Sequence, residues 1–436
     1  MAGESGVIPV AEAPALRQVP LHLRYFSLLR ANSNFRRLWM AQLVSEIGDW
    51  FYSLAVYDLL LGLTGSGQAV GWAIIIQTLP WFLMTPLAGY VADRFPRRRL
   101  MILADIARGF VVLGLLLVRR AADVWLVYAL LGLEVIFASI FEPARNALLP
   151  DIASTEEILP ANALSSATWS FALTSGAALG GLVTSLLGRP VSFVVNSASF
   201  FASALLVGGI RISESHLKPT AGSRETGRAS RGHSSLREGR EYLKRNPKVM
   251  VLILGKTGLG IFGGVFLLLA VFGERIFPIA GHGALAMGLL YAARGVGAGI
   301  GPFLGHRLTG GLQDRMWKSI GAGFFVISIS YMAFSRAPNL PLAALAIFCA
   351  HMGGSNIWVM TTTLLQLNTA ERFRGRVFAL DFGLLMLMVS GSNYLTGLGL
   401  DKWNLSARQL AAGLGLAMVL PGLLWLLAQA RWSKAS

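Results

Sequence analysis

Charge is scarce in this chain, and cysteine is nearly missing. Only 14% of the 436 residues are charged, against about 25% in an ordinary soluble domain. The single cysteine, Cys349, rules out an internal disulfide and any multi-cysteine metal site. The six histidines are scattered without an HxH or HExxH pairing, so no metal cage is expected. A phosphate-cradling GxxxxGK(S/T) loop is missing too, which argues against ATP-driven pumping. No nucleophile–base constellation stands out, so neither an enzyme nor a cofactor is expected. Residues 1–34 have no apolar core, which excludes a cleavable signal peptide.

What the chain does have is apolar surface. Hydrophobic residues make up 54% of it, and the positive mean hydropathy is spread along the whole length. That distribution marks lipid as the solvent. Twelve apolar stretches fall at 36–62, 68–92, 99–118, 124–147, 160–187, 190–210, 248–274, 283–307, 317–335, 341–367, 375–400 and 407–430. Each comes near the ~20 residues needed to cross ~30 Å of hydrocarbon. They are too long and too unalternating for barrel strands. The expected fold is an all-α membrane protein whose twelve transmembrane helices form two six-helix bundles, 36–210 and 248–430. Residues 1–35 and 431–436 remain as tails, and 211–247 as a linker rich in Arg, Ser, Gly and Glu. Within the linker, Ser235–Lys244 reads as an amphipathic piece suited to anionic headgroups. The other connections are short and carry breakers, such as Thr64-Gly65-Ser66-Gly67, Arg189-Pro190 and Ala337-Pro338-Asn339.

A net charge of +16 would suggest nucleic acid in a soluble protein. Its distribution points elsewhere. With the N-terminus inside, 28 of the 38 Lys and Arg fall on one side of the membrane and 7 on the other. This asymmetry places both termini in the cytoplasm of a multi-pass inner-membrane protein, whose partner is the bilayer and not nucleic acid.

The two sets of helices also resemble each other. One sequence offset relates Pro86-Leu87-Ala88-Gly89 to Pro302-Phe303-Leu304-Gly305, Ala147-Leu148-Leu149 to Thr363-Leu364-Leu365, and Ala163-Leu164 to Ala379-Leu380. A duplicated six-helix unit, the parallel repeat of some secondary transporters, explains the shared spacing.

Gly89-Tyr90-Val91-Ala92-Asp93-Arg94-Phe95-Pro96-Arg97-Arg98-Arg99, between the second and third stretches, resembles the loop signature of the major facilitator superfamily. Further stretches are similar to its exporter branch, which includes siderophore (enterobactin-type) and macrolide efflux proteins. They are Asn34–Trp39, Leu63–Ser66, Pro143–Pro150 and Arg374–Phe378, and the likeness runs over about residues 30–430. Two positions depart from the pattern. Pro96 stands where the signature has glycine, and Gly176–Gly181 lacks the proline of the antiporter motif. The resemblance implies a monomeric secondary transporter that exports a small amphipathic or siderophore-like molecule against protons by alternating access. Import by the same fold, or a sensor or scaffold without transport, are the alternatives. A cytoplasmic gate is implied as well, with Gly89 permitting close helix approach. In it Asp93 meets the start of the eleventh span, and Arg94, Arg97, Arg145 and Arg376 join the network.

Ionisable groups inside a membrane cost about 2.5–3.5 kcal/mol each on insertion scales, so they face a cavity or a partner. The first span carries Gln42, Glu46, Asp49, Ser53 and Tyr57 at steps of four, three, four and four, one face of a helix. Glu46 and Asp49 are expected to line a central cavity, with Asp49 as proton carrier. Lys256 and Arg294 are available basic partners. Glu134, His351, Asn356 and Asp381 are further candidates; the resemblance implies that the first, fourth, seventh and tenth spans line the pathway, which favours Glu134, Lys256 and His351. Asp105 and Arg108, spaced i,i+3, read as a local ion pair.

Overall fold

The structure, a computed structural model, describes residues 28–212, 238, 241–310 and 312–433. Most of the N-terminal tail and of the basic linker lie outside the described residues. No strand occurs among those described; the chain is a succession of helices whose ends follow from local chemistry. α1 (Ser33–Thr64) begins where the Asn32 side chain accepts from the Phe35 amide at 2.9 Å. It ends at Gly65, whose φ of 63° disfavours any residue with a Cβ. Ser66 caps α2 (Gly67–Arg94), accepting from the Ala69 amide at 3.1 Å. α3 (Arg97–Leu117) follows a turn through Phe95 and Pro96 with negative φ at both. The proline that replaces the expected glycine is therefore accommodated by an extended turn, with no left-handed residue needed. α4 (Val124–Ile152), α5 (Thr155–Leu187) and α6 (Arg189–Gly208) complete the first set.

The second set opens with α7 (Pro247–Ile276), which is α-helical to Leu259, 3-10 over Gly260–Gly264, and ends in a π turn. Then come α8 (Gly283–Thr309), α9 (Gln313–Arg336), α10 (Leu340–Asn368), α11 (Glu371–Asp401) and α12 (Ala407–Arg431). Among the described residues, the ten helices α3 to α12 are long and apolar enough to cross a membrane. α1, 32 residues long, falls outside that group. In α1 the polar stripe lowers the mean hydropathy.

In the first set α1 packs on α5 and α6, α3 on α4 and α6, and α2 on α4. In the second, α8 and α9 pack on α10, α9 on α12, and α11 on α7. The halves meet along two seams, α5 with α8 and α2 with α11. The first seam depends on two glycines. A Cβ on Gly181 would stand 2.5 Å from the Ala284 carbonyl oxygen, and one on Gly288 would stand 2.6 Å from that of Ala177. Backbones can come this close only where side chains are absent.

The described end of the linker differs from the expected headgroup-binding piece. Residues 241–245 are helical, yet Tyr242 stacks on Phe373 of α11 at 4.3 Å between centroids. Its hydroxyl accepts from the Ala370 amide at 3.0 Å, and Glu238 pairs with Arg376 at 3.3 Å. Tyr242 thus docks on the start of α11.

Candidate functional site

The side on which α2 turns into α3 and on which the linker lies is called the linker face. Two cavities occupy the interior, and the polar stripe of α1 lines both. The larger, about 710 Å³, lies toward the linker face and is bordered by Phe35, Leu38, Trp39, Gln42, Glu46, Asp49, Glu142, Arg145, Asn146, Leu149, Ser165 and Trp169. The smaller, about 260 Å³, lies deeper and touches both halves. Asp49, Trp50, Tyr52, Ser53 and Tyr57 of α1 face it, with Gln77, Thr78, Arg108 and Glu134 from the same half and Phe266, Tyr291 and Arg294 from the other. Asp49 alone belongs to both walls among the described residues. The face at steps of three and four is therefore the face on the voids.

One guanidinium organises the deeper wall. Arg108 approaches Glu134 at 2.7 Å, both oxygens of Asp49 at 3.1 and 3.3 Å, and Asp105 at 3.6 Å. Its other side lies over the Phe200 ring, 4.0 Å from the centroid. Asp105 is wholly buried and Glu134 is 7% exposed, but Asp49 is 32% exposed. Three carboxylates thus share one fixed positive charge, and the wettest of them stands where the cavities join. From Glu134 the network runs on through Tyr52, whose hydroxyl donates at 3.4 Å, to Gln77 and Tyr57. The expected Asp105–Arg108 pair forms along α3 at 3.6 Å, and α1 and α4 add shorter contacts to the same guanidinium.

The other candidates separate into two groups. Gln42 and Glu46 line the larger cavity and bond each other at 2.8 Å, and Ser53 returns its hydroxyl to the Asp49 carbonyl at 2.7 Å. Lys256 and Asp381, expected along the pathway, instead pair with each other at 2.8 Å outside both cavities. Thr362 accepts from the same ammonium at 3.0 Å, which lies 4.1 Å from the Trp358 ring centroid. His351 packs on Phe262 and Asn356 donates to Ser319 Oγ at 2.7 Å; neither lines either of these two cavities. Burial drives the Lys256, Asp381 and Asn356 side chains onto protein partners. For the Lys256–Asp381 pair, Lys256→Met is expected to lower stability by about 3–5 kcal/mol, whereas the double change with Asp381→Leu recovers most of it. Thermal unfolding of the purified variants in detergent checks this.

The expected gate turns on the side chain of Asp93, which lies outside the described residues, as do the surroundings of Gly89. Arg94 closes the last turn of α2. Arg97 donates to the Ala147 carbonyl at 2.8 Å and pairs with Asp151 at 3.0 Å, both in its own half. Arg145 pairs with Glu142 at 2.7 Å beside the larger cavity, and Arg376 with Glu238. Between the halves, the Thr78 and Ser390 hydroxyls meet at 3.1 Å midway along α2 and α11, and further polar contacts lie at the face opposite the linker. Asp401, at the end of α11, accepts from the amides of Gly67 and Gln68 at 3.1 and 2.8 Å and from the Ser66 hydroxyl. Arg275 donates to the Gly65 carbonyl. Sequence reading missed Arg108 as the hub and Asp401 as a helix cap supplied by the other half.

Comparison with known proteins adds a family and a fold. A profile of the Major Facilitator Superfamily matches residues 38–382. Macrolide efflux protein A of Streptococcus pyogenes is 24% identical over 387 residues, 85% of this chain and 91% of that protein. The enterobactin exporter EntS of Escherichia coli O1:K1 / APEC is 26% identical over 367 residues, 80% of this chain and 81% of the exporter. Among solved structures, an auto-inhibited POT family peptide transporter superposes with a TM-score of 0.69 at 12% identity, covering 91% of this chain and 96% of the other.

Proposed function

Because the chain belongs to the major facilitator superfamily, and is thus a multi-pass membrane transporter and not an enzyme, we propose that it exports a small amphipathic or siderophore-like molecule in exchange for protons. The direction is supported by the relatives named as macrolide and enterobactin exporters. Proton coupling is supported by one observation above all: Asp49 stands at the junction of the two cavities, bound to an Arg108 that two other carboxylates also claim. One guanidinium offsets one carboxylate. The remaining negative charge is costly away from water unless protons join the cluster. Asp49 is the member that a proton can reach from the larger cavity, and its protonation releases Arg108 toward Glu134 and Asp105.

The excess of Lys and Arg on one side makes the linker face the cytoplasmic one. The larger cavity then opens toward the cytoplasm while Asp401 holds the outer ends of the halves together. This is the loading state of an exporter working by alternating access. Asp401 caps α2 in trans, placing its charge at the positive end of that helix. A cap of this kind contributes about 1 kcal/mol, so Asp401→Ala is expected to shift the population about 5-fold toward an outward-open state. Distances between spin labels at the outer ends of α2 and α11 measure that shift. The functional reading itself is tested by flux. Candidate substrates are chosen by their thermal stabilisation of the purified protein and then followed in proteoliposomes under an imposed pH gradient. Flux that ignores the gradient overturns the proton coupling.

A further inference from the structure

Arg294 differs from the other two buried cations among the described residues, Arg108 and Lys256. Arg108 has three carboxylates around it and Lys256 has Asp381, but Arg294 of α8 has no carboxylate partner among the described residues. It is only 9% exposed, its Nε makes no hydrogen bond, and it lines the deeper cavity. Its neighbours are rings. The guanidinium lies 4.3 Å from the centroid of Phe266, 5.5 Å from that of Trp50 and 5.6 Å from that of Tyr291. Behind Phe266 comes Phe262 at 6.2 Å, which packs on Tyr331 and His351. The Tyr331 hydroxyl and His351 Nε2 are buried and unpartnered as well.

Aromatic faces stabilise a buried guanidinium only in part, and its in-plane donors still need an acceptor. A chain that needed only to fill space here would use an apolar residue. A chain that needed a fixed structural cation would give it a carboxylate, as it does twice elsewhere. An unpaired guanidinium with flat apolar walls, facing a void between the halves, is complementary to an anion on an aromatic body. The carboxylate cluster across the same cavity fixes the polarity of the site. It repels a second anion, so the acidic end of a ligand is directed to α8.

We propose that Arg294 is the substrate's anion-binding residue and that the transported molecule is an organic acid, a carboxylate or phenolate carried on an aromatic or flat apolar body that stacks among Trp50, Phe266 and Tyr291. This rests on the transporter reading but not on its proton coupling, because it concerns equilibrium binding.

The test uses purified full-length protein in detergent at one pH and ionic strength, with matched probes titrated by calorimetry. The acids are benzoate, 2-naphthoate and indole-3-acetate; each is paired with its neutral amide. A charge-assisted bidentate contact predicts that at least one acid binds roughly 10- to 100-fold more tightly than its amide. Arg294→Gln erases that preference, and Arg294→Lys, which keeps the charge, retains part of it. Removing a buried unpaired cation leaves the unliganded melting temperature of Arg294→Gln equal to or above that of the parent, whereas a structural role lowers it. Acid preference is read at equilibrium without a gradient, so acids that still bind in protein showing no coupled flux separate failure of the transport reading from failure here. Acids and amides that bind alike, or no acid in the panel that binds, overturn the proposal, as does a preference that survives Arg294→Gln.

Discussion

Arg108→Gln is expected to cost more stability than any other single change in the first six helices, about 3–5 kcal/mol. The reason is the count of partners. Arg108 sits within 2.7 Å of Glu134, 3.1 Å of Asp49 and 3.6 Å of Asp105, contributed by α4, α1 and α3. Removing the cation leaves three carboxylates facing one another with no compensating charge. Asp105 suffers most, because both its oxygens are buried and accept no hydrogen bond among the described residues. Thermal unfolding in detergent, alongside the amount of protein recovered from membranes, measures the loss. Neutralising the partners separates charge from packing. Arg108→Gln combined with Asp49→Asn, Asp105→Asn and Glu134→Gln recovers a large part of the stability if unpaired charge is the cause. A single Arg108→Gln variant that melts with the parent would show that the cluster does not hold these helices together.

The contrast between the stripe on α1 and the hub on α3 shows where a sequence speaks. Gln42, Glu46, Asp49, Ser53 and Tyr57 recur at helical spacing within one segment, so a shared face follows from the period alone. The structure puts that face on the cavities. Arg108 offers no such clue. Its i,i+3 neighbour Asp105 invites a local reading, while its shortest contacts come from helices whose approach is set by packing. Lys256 and Asp381 fail in the same way: each is a lone ion in a greasy helix, and sequence cannot tell one that meets a partner from one that lines a route. Arg294 shows the converse, since its lack of a carboxylate is visible only once every neighbour is placed. The trans cap of α2 by Asp401 is hidden for another reason. Ser66 already supplies a local cap, and nothing in the segment announces a second acceptor.

Asp49→Asn is expected to abolish accumulation driven by a pH gradient while leaving downhill movement of the same substrate within a few-fold of the parent. Asp49 is the most exposed carboxylate around Arg108, at 32%, and it touches both cavities. Exchange of one proton per substrate converts a gradient of ~2 pH units into about 100-fold accumulation, because each unit is about 1.4 kcal/mol. Asparagine keeps the size and one acceptor oxygen for Arg108 but cannot change charge. The variant therefore folds, binds and rocks without linking those steps to protons, and accumulation falls toward unity. Glu46→Gln serves as the comparison. Glu46 lines the larger cavity alone and bonds Gln42 rather than Arg108, so its loss slows proton entry but leaves the accumulation ratio standing. Proteoliposomes loaded with a substrate chosen by thermal stabilisation, and diluted into buffer of different pH, report both quantities in one trace. If Asp49→Asn accumulates substrate as the parent does, the proton is carried elsewhere, and the contact between Asp49 and Arg108 is a structural ion pair.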